Sequence, residues 1–430
     1  MKRFHIQTFG CQMNVYDGQR IANMLGARGW TPTDDLAVAD LIILNTCSVR
    51  EKATNKVFSA LGRIRRNKKK NALFGIVGCV ARESGADAFR RIPELNFVLG
   101  PQSYHKLPEI LDNPDAKLLN IDLTGLEKFD EVYAPTARAE ATTSPLAYIP
   151  IQEGCDHCCT YCIVPFTRGR ELSRPFNDVM RDVRHAADAG AIEICFLGQN
   201  VNGYKYSLAN LIRETAALPG IKRIRFTSSY PTEMTDDLID LFRTEPKLLP
   251  FLNLPIQSGS PDVLTRMNRP YSLDLYMDII EKLRKARPDI QISSDFIVGF
   301  PGETDADFEQ TVEIAKRVKY INSYSFKYSP RPHTAAALMK DQIPDNIKRE
   351  RLKILDGCLN ELQRNFNESC VGETMPCLLE GADKSGGNLV FRTPYMQQCI
   401  VMNHEKEKNA ALVMITITSA TKSSLRGKPA

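Results

Sequence analysis

The stretch "EGCDHCCTYCIVP", residues 153–165, sets four thiols within eight positions. Cys155, Cys158, Cys159 and Cys162 are too crowded to be independent core residues. Cys155, Cys159 and Cys162 follow a C-x3-C-x2-C spacing, and thiolates are soft ligands suited to iron–sulfur clusters and to zinc. A structural zinc site completes four ligands. A cubane cluster ordinarily takes four cysteines, so three on one loop leave one iron of a [4Fe–4S] cluster open to a small molecule. A zinc loop completed by Cys158, His157 or a remote residue is the alternative that spacing leaves standing.

Working outward, the stretch follows "AYIPIQ" (147–152), the first of six strand-like runs. The others are "IEICFLG", "RIRFTSS", "FLNLPIQS", "QISSDFIVG" and "NSYSFKYS", with amphipathic helical segments such as "PFNDVMRDVRHAADAG" between them. Six βα units are fewer than the eight of a closed barrel, which predicts an open, partial (β/α)6 barrel. Its active face is the end where polar and glycine-containing loops follow the strands: "EGCDHCCTYC", "GQN", "SYP", "QSGS", "GFPGET" and "SPRPHT".

Upstream, "RFHIQTFG", "ADLIILNT" and "NALFGIVG" alternate with the helices "GQRIANMLGARG" and "EKATNKVFSALGRIRRNKKK". Such alternation predicts a Rossmann-like parallel sheet with right-handed crossovers. A cysteine follows each strand: Cys11, Cys47 and Cys79. Ligands of open α/β sheets sit at the carboxyl ends of the strands, so these three thiols are expected to share one ligand. Downstream of "NIKRERLKILDGCLNELQRNFNES", the runs "ETMPCLLEG", "NLVFRT", "QQCIVMN" and "ALVMITITSAT" predict a small β-barrel of a form often used for oligonucleotides. The expected organisation is an α/β chain with domains at 1–120, 143–369 and 370–430. A connector occupies 121–142, where periodicity fades and Pro, Ala and Thr accumulate.

The chain has 430 residues, 43% hydrophobic and 25% charged, with a net charge of +5. These values fit a globular protein of two or three domains, and the charge permits a polyanionic partner without demanding one. No apolar run spans a bilayer, and the amino terminus lacks a signal-peptide pattern. A cytoplasmic location follows as the expectation, where twelve cysteines point to metal or redox chemistry rather than disulfides. Ser–His–Asp, zinc-protease and phosphate-loop patterns are absent.

C-x3-C-x2-C after the first strand of a partial barrel resembles the radical S-adenosylmethionine (SAM) superfamily. The resemblance covers essentially the whole chain and extends to the methylthiotransferase branch. "TFGCQMNVYDGQ", "ILNTCSVREKA" and "GIVGCVAR" are similar to its amino-terminal motifs. "EGCDHCCTYCIVPFTRGRELSRP", "FLGQNVNGY", "LPIQSGS", "DFIVGFPGET" and "YSPRPHTAAA" resemble its core signatures, and "SLRGK" the end of its TRAM barrel. "GCQMN" and "NTCSVREKA" look like the MiaB-type tRNA enzymes. The branches acting on a ribosomal protein or on threonylcarbamoyladenosine in tRNA are the enzymatic alternatives, and a zinc-stabilised RNA-binding protein the non-enzymatic one. Tyr230, Asn253, His333 and Ala335 depart from the usual pattern.

The resemblance implies two [4Fe–4S] clusters, one on Cys11, Cys47 and Cys79 and one, binding SAM, on Cys155, Cys159 and Cys162. One SAM would methylate sulfur and a second would yield a 5′-deoxyadenosyl radical. The implied reaction adds a methylthio group at C2 of the N6-isopentenylated adenosine flanking the anticodon (adenosine-37 of tRNA). That C2–H is neither acidic nor a hydride donor, so side-chain acid–base chemistry cannot displace it. An electron donor and a sulfur-supplying or cluster-supplying protein are further expected partners, and the chain is expected to be monomeric.

Tyr161, before the third cysteine, lies near the cofactor by the same resemblance. Gln199, Asn200, Ser228, Gln257 and Asp295 are candidate SAM contacts at strand ends, each equally able to cap a loop. Gly299, Gly302 and Glu303 read as a tight turn forming a cofactor wall. For RNA, the candidates are "GRIRRNKKK" (62–70), Phe391, Arg392 and Tyr395. Arg168, Arg170 and Arg174 suit phosphate, SAM or local salt bridges. Cys158 and His157 are expected to be spectators, and Cys195, Cys358, Cys370, Cys377 and Cys399 core thiols.

Overall fold

Six parallel strands build the first sheet, in the order β2-β1-β3-β4-β5-β6. They are β1 (Arg3–Thr8), β2 (Thr31–Pro32), β3 (Leu41–Thr46), β4 (Leu73–Gly78), β5 (Phe97–Leu99) and β6 (Leu118–Asn120). The computed structural model describes all residues except 49–50, 124, 126–127, 130–144, 384–385 and 403–410, and omits the side chains of 51–56 and 58–59. Every residue of β3 is buried, as expected of "LIILNT" in a sheet covered on both faces. β1, β3 and β4 are neighbours in register, with Thr8 opposite Asn45 and Thr46 opposite Gly78. Three chain segments therefore leave the sheet side by side.

The central unit is an open arc of short parallel strands. β7 (Leu146–Pro150), β10 (Glu193–Leu197) and β11 (Arg223–Phe226) form one patch. A bridge from Ile224 to Leu248 carries the arc on to β12 (Phe251–Asn253), which pairs with β13 (Gln291–Ser293). β14 (Asp295–Val298) pairs with β15 (Tyr324–Lys327). The six predicted units are present, and the fifth strand is broken at Ser294, where the chain switches partners. A two-residue antiparallel clasp, β8 (Gln152–Glu153) with β9 (Leu172–Ser173), closes the base of the thiol-rich loop.

A helix, Asp345–Ser369, leads into a closed barrel ordered β16-β17-β18-β20-β19. Its strands are β16 (Thr374–Ala382), β17 (Asn388–Arg392), β18 (Gln398–Met402), β19 (Leu412–Ala420) and β20 (Leu425–Pro429). Cys377, Phe391, Cys399, Ile415 and Leu425 fill its interior. Arg223 fastens the barrel to the central unit, donating to the carbonyls of Pro376 (3.2 Å), Arg392 (3.0 Å) and Thr393 (3.1 Å). Its Nε meets Glu193 at 2.7 Å.

The barrel corrects the reading of Phe391 as an RNA candidate and gives Arg392 and Tyr395 protein partners. Phe391 is fully buried, because alternation along β17 turns Leu389 and Phe391 inward. Arg392 forms a two-pronged pair with Glu380 at 2.8 and 2.6 Å. Tyr395 packs edge-on against Phe366 and donates to Asp289 (3.3 Å), so it serves docking. In the basic run, Arg65 pairs with Glu94 and Lys69 with Asp40, each at 2.5 Å. Most of the expected connector, 121–142, lies outside the described residues. Its described Lys128 and Phe129 are buried.

Candidate active site: two cysteine trios and a buried arginine

The three amino-terminal cysteines converge. Cys11 caps the helix Gln12–Ala27, Cys47 follows β3, and Cys79 opens the helix Cys79–Ser84 directly after β4. Asn14 donates to Asn45 Oδ1 (3.1 Å) and to the Thr46 carbonyl (2.9 Å), tying the turn after Cys11 to the end of β3. Gly10 lets the chain approach Cys47 closely: its φ is +115°, and a Cβ there would lie 2.2 Å from Cys47 Cβ. A hydrogen bond with Cys47 pulls the Cys11 thiol down to about 6, against the opposing effect of burial and with help from Arg168. Burial pushes the Cys79 thiol up, while Arg168 counters it.

The second trio is held by a stitched loop. Gly154, with φ +80°, passes so close to the Arg170 carbonyl that a Cβ would sit 1.9 Å from it. Cys155 N–H donates to the Gly169 carbonyl (3.3 Å), Thr160 N–H to Met267 (3.0 Å) and Cys162 N–H to Cys159 (2.9 Å). Burial, and then the proximity of Cys159, raise the Cys162 thiol to about 12, and burial chiefly lifts Cys155 to about 11. Ligation at those two sulfurs has to release protons.

A fourth donor is missing from this loop. Cys158 is exposed, with φ +47°, and His157 stacks on Tyr230 at 3.6 Å while its Nε2 meets Glu233 at 2.9 Å. Among the described residues, no three His, Cys, Asp or Glu side chains are placed to hold a single metal ion. The donor chemistry, three soft sulfurs per set with no fourth donor beside them among the described residues, fits an iron–sulfur cluster with an open iron better than structural zinc.

Arg168 reaches the first set from the segment that carries the second. It ends the short helix Val164–Arg168 that begins just beyond Cys162, and it acts electrostatically on Cys79 and Cys11. It also pairs with Glu153 (2.6 Å) and Asp17 (3.3 Å), and Lys128 completes the buried group at 2.8 Å from Glu153. Two cations and two carboxylates thus neutralise one another out of water. Arg174, fully buried, is bound instead to Asp182 (2.9 Å) and the Pro150 carbonyl (2.8 Å).

The remaining candidates divide. Tyr161 packs beside Phe300 and Met267, and its hydroxyl accepts from Arg269 (3.2 Å). Gln199 follows β10 and uses its Oε1 to accept from Gly154 N–H (2.6 Å), which makes it a support of the loop. Asn200 is buried; its Nδ2 donates to Glu171 (2.9 Å) and its Oδ1 has no partner among the described residues. Ser228 and Gln257 follow β11 and β12 with φ of +66° and +73°. Asp295 stands at the junction of β13 and β14. Glu303 accepts from Gly299 N–H (2.8 Å) and from Arg351 (2.8 Å), as a turn residue would. Sequence reasoning missed Glu171, Glu233 and Arg269. Burial raises the Glu171 carboxyl, and its neighbours come from three separate segments, so no local pattern marks it.

An open parallel arc with C-x3-C-x2-C after its first strand is the architecture of the radical SAM superfamily, and residues 149–315 match that superfamily's model. Residues 3–100 match a model described as uncharacterized protein family UPF0004. The fold is similar to the radical S-adenosylmethionine methyltransferase TsrM from Kitasatospora setae, 14% identical, with a TM-score of 0.56 over 78% of this chain and 77% of that one. The cobalamin-dependent radical enzyme OxsB gives 0.52 at 11% identity over 82% and 56%. Full-length relatives are closer. The tRNA-2-methylthio-N(6)-dimethylallyladenosine synthase of Rickettsia rickettsii is 46% identical over 99% of both chains. That of Sphingopyxis alaskensis is 45% identical over 100% of this chain and 98% of its own. The chain belongs to the family of these synthases.

Proposed function

We propose that this chain is a radical SAM methylthiotransferase that installs a methylthio group at C2 of N6-isopentenyladenosine next to the tRNA anticodon. The observation that carries the reading is that Arg168, on the segment that follows Cys162, lies beside Cys11 and Cys79 of the other trio. Cys11, Cys47 and Cys79 would hold one [4Fe–4S] cluster, and Cys155, Cys159 and Cys162 the other. Bound there, the clusters and SAM supply one-electron chemistry, a methyl group and sulfur. The chain's own residues orient and shield: the β8–β9 clasp and Gln199 fix the thiol loop, and the buried Arg168 group excludes water beside Cys11 and Cys79. Tyr161, Asn200, Ser228, Gln257 and Asp295 remain our candidates for SAM. We assign 1–120, 143–369 and 370–430 to auxiliary-cluster, radical and RNA-binding domains. An electron donor, a sulfur supplier, a cytoplasmic setting and a monomeric state complete the proposal.

Nucleosides from a strain lacking the gene test reaction and substrate together. The 2-methylthio nucleoside should vanish and return with the gene; its persistence would remove the tRNA assignment. After anaerobic reconstitution the chain should carry about eight irons. Cys159→Ala should lose about four of them, whereas Cys158→Ala should keep all. Equal losses would overturn the ligand assignment. A single tight zinc and no SAM cleavage would favour a zinc-stabilised RNA-binding protein.

A further inference from the structure

Six arginines are buried in the described structure: Arg168, Arg174, Arg223, Arg225, Arg269 and Arg351. Five are paired with carboxylates: Arg168 with Glu153 and Asp17, Arg174 with Asp182, Arg223 and Arg225 with Glu193, Arg351 with Glu303 and Asp305. Arg269 is the exception. Its Nε donates to Tyr271 Oη (2.6 Å) and its Nη2 to the Pro255 carbonyl (2.7 Å). Its Nη1 donates to Tyr161 Oη (3.2 Å) and to Cys159 Sγ (3.8 Å). The guanidinium also lies 4.6 Å from the Tyr230 ring, which carries His157 of the thiol loop stacked upon it.

An ion taken out of water costs several kcal/mol unless an anion answers it. Aromatic faces and neutral oxygens offset part of that cost. Among the described residues no carboxylate answers Arg269, and the one atom it meets that a cluster would bind is Cys159 Sγ. Three thiolates around a [4Fe–4S] core carry one net negative charge when oxidised and two when reduced. A fixed cation therefore favours the reduced form. Hydrogen bonds to the sulfurs are among the determinants of cluster potential.

We propose that Arg269 is a positioning residue and counter-cation for the cluster at Cys155, Cys159 and Cys162, and that it makes one-electron reduction of that cluster easier. The inference rests on the reading that this trio holds a cluster. In the step concerned, the cluster gains one electron from a single-electron donor. Arg269 keeps its protons, and no covalent bond is made or broken.

The test uses the full-length chain carrying Cys11→Ala, Cys47→Ala and Cys79→Ala, so that one cluster titrates. It is reconstituted with iron and sulfide and titrated with dithionite, without SAM, while the paramagnetic signal of the reduced cluster is followed. With Arg269→Gln, iron content should hold near four per chain and reduction should become at least tenfold less favourable. That corresponds to about 59 mV more negative for one electron. Arg269→Lys, which keeps the charge and loses the planar fork, should shift the same way by less. If Arg269→Gln does not fold, the lysine variant decides: an unchanged potential at equal iron overturns the proposal. SAM binding is measured separately by equilibrium dialysis, and an unchanged potential with weakened binding there also overturns the proposal, giving Arg269 to the cofactor instead. Absence of iron when Arg269 is intact would overturn the cluster reading itself, a failure distinct from the other two.

Discussion

Replacing Gly10 with alanine tests whether backbone geometry assembles the amino-terminal trio. At φ +115° an L side chain is strained, at a cost of about 1–3 kcal/mol. The new Cβ would lie 2.2 Å from Cys47 Cβ and 2.9 Å from its Sγ, so Cys47 must move. Overpacking of this kind costs about 1–3 kcal/mol more. The sum, about 2–6 kcal/mol, is within what a folded domain can lose and remain folded. Urea unfolding of the cluster-free chain should show that loss. Anaerobic reconstitution should leave about four irons instead of eight. Gly62→Ala is the control: nothing lies within 4 Å of its Cβ, and a helix interior should gain about 0.5–1 kcal/mol. Gly10→Ala with undiminished stability and full iron would refute the reasoning.

Tyr230 Oη is buried without a partner among the described residues, so Tyr230→Phe should leave stability unchanged or raise it by about 1–3 kcal/mol. A clear loss in thermal unfolding would mean the hydroxyl is paired. Arg223→Met frees three barrel carbonyls while Glu193 keeps Arg225 at 2.6 Å. It should cost about 3–5 kcal/mol and speed proteolytic release of residues 370–430, and unaltered digestion would count against the staple. Asp40 is held below its ordinary 3.8 by Lys69 and the Arg3 N–H. Its stabilisation is therefore present at neutral pH and disappears as pH falls through the lowered value. Asp40→Asn should cost under about 1 kcal/mol at pH 7 and nothing at pH 2, because the pair is half-exposed. An equal cost at both would refute the linkage.

Much of the site was legible because its thiols end strands that read plainly. "LIILNT" and "LFGIVG" are aliphatic runs of strand length, and the cysteine after each inherits its place from the sheet. β5 and β6 were not legible, since "FVL" and "LLN" are too short to show a period. Phe391 misled because an aromatic beside an arginine suits both a stacking surface and a strand, and only barrel closure decides which way it faces. Arg269 and Glu233 carried no local signal. They reach the thiol loop from 110 and 76 residues away, through contacts that topology alone creates.

The segment from Cys162 to Arg168 has one further consequence, for anyone recombining such proteins. It spans one turn or so of helix, and its last residue is anchored in both halves through Asp17 and Glu153. The loop that carries one sulfur set is thus pinned to the sheet that carries the other by a single buried charge cluster. A hybrid spliced between relatives would keep that pin only if Asp17, Lys128, Glu153 and Arg168 came from one parent.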